Sequence, residues 1–396
     1  MGEPTVDVLF DPGGSRTTLA AAASGSPVAI DATTGAVFVL RYEELERLAH
    51  DPRLVGVGLT WFDVMGIQGD LREWYGSLMF TNEGEAHTRL RRLVSRAFTP
   101  RSVQQLRPRA AQLIKEQFLE LESRGEGDLV QLLARTSVRV MSHLLGVPEN
   151  DVDVWGSWAD ALSPVFGYMD PEQIVAAETA LAELVTYLGA LVEQRDAAPR
   201  DDLVSALVRA EEDGEQLRRD EVITMVTNLL VAAHDTTTSQ IGCTLLTLLS
   251  HPAGVARLRS EPDLVPAAVT ESMRYEPSIG MIPRTATAPV ELGGAEWPAG
   301  TMVVLSVLTA NRDPDVWEDP DSFVPDRFAR PGAPHLLSFG TGVHYCLGAN
   351  LARLTLEETV AAFVARDIIP EQDLEAVEWR QVLGRSPASL RVRARA

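Results

Sequence analysis

The stretch Phe339-Gly340-Thr341-Gly342-Val343-His344-Tyr345-Cys346-Leu347-Gly348 decides how the rest of the chain is read. Its first two glycines allow a tight turn with positive φ and a close approach of another group to the backbone. A cysteine follows, then a third glycine, then a stretch over 347–364 that predicts a helix. At a helix start, free amide groups and the positive end of the dipole stabilise a thiolate. With no second cysteine or histidine at zinc spacing, this one does not make a tetrahedral zinc site. It suits a metal held mainly by something other than protein side chains. Alone, the pattern also describes a buried structural cysteine in a glycine turn.

Working outward, the chain reads as one large, mainly helical unit with small β-sheets, an α+β fold. Residues 27–31 and 36–40 predict two short strands around Thr33, Thr34 and Gly35, and 42–50 predicts a helix. Residues 55–80 carry five glycines, two tryptophans and three other aromatics with no clear period, which predicts a long loop or short helices. From Glu83 to about Glu261 the pattern is mostly helical, and 216–250 is the longest candidate, stopped at His251-Pro252. Residues 279–307 alternate like strands, and 311–334, rich in Asp and Pro, predict loop. No composition break divides the chain, so 1–396 reads as a single domain, with about 1–26 as an N-terminal extension.

Composition narrows the class. Of 396 residues, 45% are hydrophobic and 23% charged, which is ordinary for a globular protein. Two cysteines are too few for a secreted disulfide framework. A net charge of −21 argues against nonspecific binding to nucleic acid or to an anionic membrane. The acidic residues Asp7 and Asp11 do not fit a signal peptide. The most apolar long run, 222–233, is shorter than the ~20 residues of a membrane span. The expectation is a cytoplasmic monomer.

Other segments carry candidate chemistry. Glu271 and Arg274, at i, i+3, share a helix face, and so do His87 and Arg91 at i, i+4. Ala232-Ala233-His234-Asp235-Thr236-Thr237 puts an acid and an alcohol inside an otherwise apolar helix, where they are costly unless used or satisfied. The Thr236 hydroxyl reaches the carbonyl four residues back, that of Ala232, which competes with the helix ladder and opens a local bulge.

The ten-residue run resembles, position for position, the haem-thiolate signature of the cytochrome P450 monooxygenases, with Phe339, Gly340, His344, Cys346 and Gly348 at its fixed positions. Matching segments follow in the right order over roughly residues 27–392. The resemblance implies a P450 fold with haem b between the long central helix and the cysteine loop, and Cys346 as the axial iron ligand. It implies that His87, Arg91, Arg284 and His344 clamp the haem propionates, which need charge-assisted donors when buried. Glu271, Arg274 and Arg327, the last within 323–328, match a buried structural triad. Asp235 and Thr236 match an acid–alcohol pair that passes protons to the reacting oxygen, with Ala232 beside the haem. Ala233 stands where the family usually has glycine, so a methyl group narrows the groove.

The implied activity is insertion of one atom of O2 into a bulky, mostly apolar small molecule, by hydroxylation or epoxidation in secondary metabolism. Ferredoxin and ferredoxin reductase are the implied electron donors. A peroxide-driven route, a carrier-bound substrate and a non-enzymatic haem sensor are the alternatives. The substrate pocket is expected from 55–80, 162–169, the long helix before Asp235, 278–282 and 381–384, with the large side chains Trp61, Phe62, Met65, Trp74, Met79, Phe80, Phe166, Met169, Met281, Ile282 and Leu383. Residues 87–101 carry five arginines and no acid. Arg91 is assigned to the haem, leaving Arg89, Arg92 and Arg96 for the donor.

Overall fold

Helix accounts for 58% of the chain in the computed structural model, which describes residues 3–8, 15–212, 214–381 and 383–395. The elements that build the site are helices α1 (Ser15–Ala23), α2 (Gly84–Ala97), α3 (Val152–Leu162), α4 (Pro171–Ala197), α5 (Arg219–Ser250), α6 (Val265–Tyr275) and α7 (Ala349–Val364). The strands are β1 (Thr5–Val6), β2 (Val28–Asp31), β3 (Val37–Val39), β4 (Leu54–Gly56), β5 (Met281–Ala286), β6 (Met302–Ser306), β7 (Trp379–Gln381) and β8 (Arg385–Pro387).

One six-stranded sheet has the order β1-β2-β3-β6-β5-β4. Pairing is parallel at β1–β2 and β3–β6 and antiparallel elsewhere. The alternating pattern over 279–307 thus forms β5 and β6, with two short strands between them. Residues 55–80 resolve into two short helices, Thr60–Met65 and Asp70–Ser77, and a single turn at Met79–Thr81. Tyr75 stacks there on Phe62 with ring centroids 4.5 Å apart.

The expected N-terminal extension is more integrated than its composition implies. Strand β1 adds to the sheet edge, Leu19 of α1 is fully buried, and Arg16 bonds Glu276 at 2.7 Å. Residues 9–14, with Asp11, lie outside the described residues.

Helix α5 runs without interruption through the core and packs on α3, α4, α6, α7 and β8. No bulge opens at Ala232–Thr236: the Thr236 hydroxyl bonds the Ala232 carbonyl at 2.7 Å while the helix continues. Helix α4 is long and apolar enough, by length and composition, to cross a membrane. It lays Leu181, Leu184, Leu188 and Leu191 into the core.

The charged triad is assembled beneath this framework. Glu271 and Arg274 are fully buried on α6, with Arg274 Nε 2.8 Å from the carboxylate. Arg327 Nε lies 3.1 Å from the same group. The guanidinium of Arg274 also donates to the carbonyls of Asn311, Pro320 and Ser322. The pair therefore staples the loop before the cysteine segment to α6. Removing one partner of such a buried set costs about 3–5 kcal/mol, because it leaves an uncompensated charge.

Candidate active site

The cysteine loop descends from a short turn at Leu337–Phe339 into α7. Gly342 has φ +71°, and a Cβ there would meet the Ala49 carbonyl at 2.8 Å, so only glycine lets the loop lie this close to its neighbour. The Cys346 amide donates to the Phe339 carbonyl at 3.0 Å and closes the loop. Burial pushes the Cys346 thiol up, while the Gly348 and Ala349 amides and the charges of Arg91 and Arg353 pull it back. Those amides are the helix-start donors expected from sequence. Arg353 covers the Phe339 ring at 4.6 Å.

Four bases converge on the same cavity from three directions: His87 and Arg91 from α2, Arg284 from β5, and His344 from the loop. The His87 and His344 rings lie 4.3 Å apart. Arg91 donates to the Tyr345 carbonyl at 2.6 Å. Burial lowers the pKa of His87, of Arg91 and of Arg284.

A residue that sequence reading missed, Glu83, organises them. One of its carboxylate oxygens accepts from the Gly56 amide at 2.7 Å and the other lies 3.0 Å from His344 Nε2. Gly56 sits directly opposite Arg284 in the β4–β5 register, which brings strand, helix start and loop together. Burial raises the Glu83 carboxyl, but the Gly56 amide and the charges of His344 and Arg284 outweigh it and hold the pKa low. The i, i+4 spacing to His87 was the available signal.

All nine residues expected around the cofactor line this one cavity, and so does Thr236. Asp235 does not: its carboxylate accepts from the Leu383 and Gly384 amides, at 3.1 and 2.7 Å, in the turn between β7 and β8. Of the expected substrate contacts, Met79, Phe80 and Ile282 line the cavity. The others do not. Phe62, Trp74 and Met169 are core residues, and Phe166 stacks on Phe80 with centroids 5.5 Å apart. Trp61 is half-buried away from the cavity lining, and Met65 packs against the core, where its Sδ accepts the Met169 amide at 3.1 Å. Met281 packs beside Leu19 and Phe38, and Leu383 contributes its amide to Asp235. An apolar side chain on a short element predicts burial, not which side of the element is buried. The cavity wall also includes Ala233, expected at the groove, and Asn228 and Leu229 of α5, which lie in the helix expected to line it but were not singled out.

A family model described as Cytochrome P450 matches residues 155–366, and the cyclomarin C epoxidase CymV of Salinispora arenicola is 36% identical over 370 residues, covering 92% of each chain. The chain belongs to the cytochrome P450 family. The 6-deoxyerythronolide B hydroxylase of Saccharopolyspora erythraea is 35% identical over 343 residues, covering 85% of this chain and 83% of its own. The solved structure of cytochrome P450 CYP109Q5 from Chondromyces apiculatus aligns with a TM-score of 0.89 at 30% identity over 99% of both chains. This P450 is a monooxygenase whose cofactor is haem with a cysteine thiolate on the iron, and whose substrates are O2 and an organic molecule.

The cavity's chemistry fits that group. Four bases line the cavity, and Glu83 is hydrogen-bonded to one of them, His344. Among the described residues, the Arg284 guanidinium bonds only the Pro283 carbonyl, and the His87 ring has no hydrogen bond. Two propionates supply the anions that such a set of donors lacks.

Proposed function

We propose that Cys346 is the axial iron ligand, that His87, Arg91, Arg284 and His344 hold the propionates, and that the enzyme hydroxylates or epoxidises a bulky, mainly apolar secondary metabolite. The observation that carries this reading is the single cavity that gathers the cysteine, the four bases and the Thr236 hydroxyl. The bound haem supplies activation of O2 and transfer of one oxygen atom to the substrate. The chain's own residues do the rest. The bases bind and orient the propionates, and the apolar wall of Met79, Phe80 and Ile282 keeps water from the substrate. Thr236 holds a proton at Oγ1 beside the Ala232 carbonyl, within the cavity. The relatives named as a cyclomarin C epoxidase and a 6-deoxyerythronolide B hydroxylase support both outcomes. Electrons come from a separate ferredoxin and its reductase, in keeping with the family resemblance.

Replacing Cys346 by Ser tests the ligand assignment directly. The reduced carbon monoxide complex of the wild type is expected to show the thiolate-specific absorbance, and Cys346→Ser to lose it. A variant that keeps that band at the wild-type position ends the assignment.

A further inference from the structure

Asn228 is a polar side chain set deep in an apolar wall. It is 6% exposed, on α5 beside Leu229, Leu230 and Val231, and it lines the cavity with Met79 and Phe80. Its carbonyl oxygen accepts the Met79 amide at 3.3 Å. A backbone N–H can only donate, so this bond fixes which end of the side-chain amide is oxygen and leaves the amino group for the cavity. No described residue accepts from that nitrogen, and the nitrogen is not sealed off. The other carboxamide of the wall, Gln240, has both ends engaged: it donates to the Glu276 carbonyl and accepts from the Ser278 amide. Asn228 alone of the two keeps a free donor, and a donor left unpaired in apolar surroundings costs free energy that a ligand oxygen recovers.

We propose that Asn228 is a specificity-determining residue, and that the substrate carries a carbonyl or ether oxygen which accepts from its side-chain nitrogen. Residues 228, 232 and 236 are four apart and share one helix face, the face that puts Ala232 and Thr236 on the cavity. The rise from Asn228 is ~6 Å to Ala232 and ~12 Å to Thr236. The acceptor therefore lies one to two helix turns from the oxidised carbon. The favoured substrate is an oxygenated scaffold, and a plain hydrocarbon of the same bulk is disfavoured. This inference rests on reading the cavity as the haem and substrate chamber.

The test uses the haem-loaded enzyme and N-alkylimidazoles, whose ring nitrogen binds iron and reports occupancy as a red shift of the main haem band. Hexyl, octyl, decyl and dodecyl tails are compared with tails of equal length ending in a methyl ketone. In the wild type the ketone is expected to bind roughly three- to tenfold more tightly than its hydrocarbon at one tail length. In Asn228→Leu that ratio should fall to one or below, because the ketone is still dehydrated on entry. Asn228→Asp at pH 8 keeps an acceptor for Met79 and withdraws the donor, so it should lose the ratio too. A merely structural role for Asn228 would weaken both tails equally and leave the ratio intact, which overturns the proposal. So does a wild-type ratio of one at every length. If no imidazole shifts the band, the haem reading itself fails, and the inference falls with it.

Discussion

Asp235 and Thr236 are neighbours in sequence, yet successive side chains leave an α-helix about 100° apart, and these two serve different surroundings. Thr236 faces the cavity, whereas the Asp235 carboxylate is tied to the Leu383 and Gly384 amides. A buried carboxylate that accepts two amide hydrogen bonds is a firm anchor. Any proton supply through Asp235 therefore depends on the β7–β8 turn that holds its carboxylate. Gly384 is part of that device, since a Cβ there would meet Ser239 Cβ at 2.8 Å and shift the turn. Thr236→Ala should keep its haem and lower the product formed per reductant consumed, with more peroxide released. General acid–base help of this kind is worth ~10²–10⁴-fold. Gly384→Ala should fail in the same direction but less severely. A Thr236→Ala enzyme with wild-type product-to-reductant and peroxide ratios would remove the hydroxyl from the proton path. The acid–alcohol pair was legible because polar residues in an apolar helix demand an explanation. The direction of Asp235 was not, because its partners are backbone amides almost 150 residues away, and amides leave no mark in a sequence.

At the scale of elements, the long helix was legible from its length and its Pro252 stop, but what fastens it to its neighbours was not. His234 points away from the cavity, and its Nε2 lies 2.7 Å from Asp160 of α3. Arg135 grips the other oxygen of Asp160 at 2.8 Å. Burial raises the Asp160 carboxyl, but His234 and Arg135 outweigh it and hold the pKa below the usual value. A carboxyl with a depressed folded pKa contributes stability above its unfolded pKa, about 3.9, and loses it as pH falls through the folded value. Asp160 is half exposed, so its contribution is small. Asp160→Asn should lower the thermal midpoint by about 1–3 °C at pH 7, and the gap to wild type should close below about pH 4. A gap that stays constant from pH 7 to pH 3 would show that the carboxylate's charge is not what joins α3 to α5. The triad at Glu271 contrasts with this latch. Its spacing on one helix was readable, and its third member came only with the family pattern, because Arg327 is 56 residues from its partner.

Over the whole molecule, the charge balance changes the view of where an electron donor docks. A net charge of −21 leaves a positive patch conspicuous, and the arginine-rich stretch 87–101 was the obvious one. Two of its five arginines are paired with acids within the chain. Arg89 bonds Glu221 at 2.8 Å and lies 3.6 Å from Glu215, and Arg92 bonds Glu215 at 2.7 Å. These acids come from the segment entering α5, more than 120 residues away, so the sequence shows the bases without their partners. Reversing both arginines places four like charges together, and Arg89→Glu with Arg92→Glu should lower the thermal midpoint and loosen the start of α5. That defect slows every reaction of the enzyme alike. The cysteine loop offers a more selective surface: Val343, three residues before Cys346, is 68% exposed where most valines are buried. A donor that must approach the thiolate side meets this side chain early. Val343→Glu should therefore slow ferredoxin-driven reduction several-fold while dithionite reduction, imidazole binding and the thermal midpoint stay at wild-type values. The loss should grow at low salt, because an added acid repels an acidic donor and ions screen that repulsion beyond ~8–10 Å. Stopped-flow reduction at two ionic strengths measures both effects. Equal ferredoxin-driven rates in Val343→Glu and wild type at low salt would place the donor's contact elsewhere.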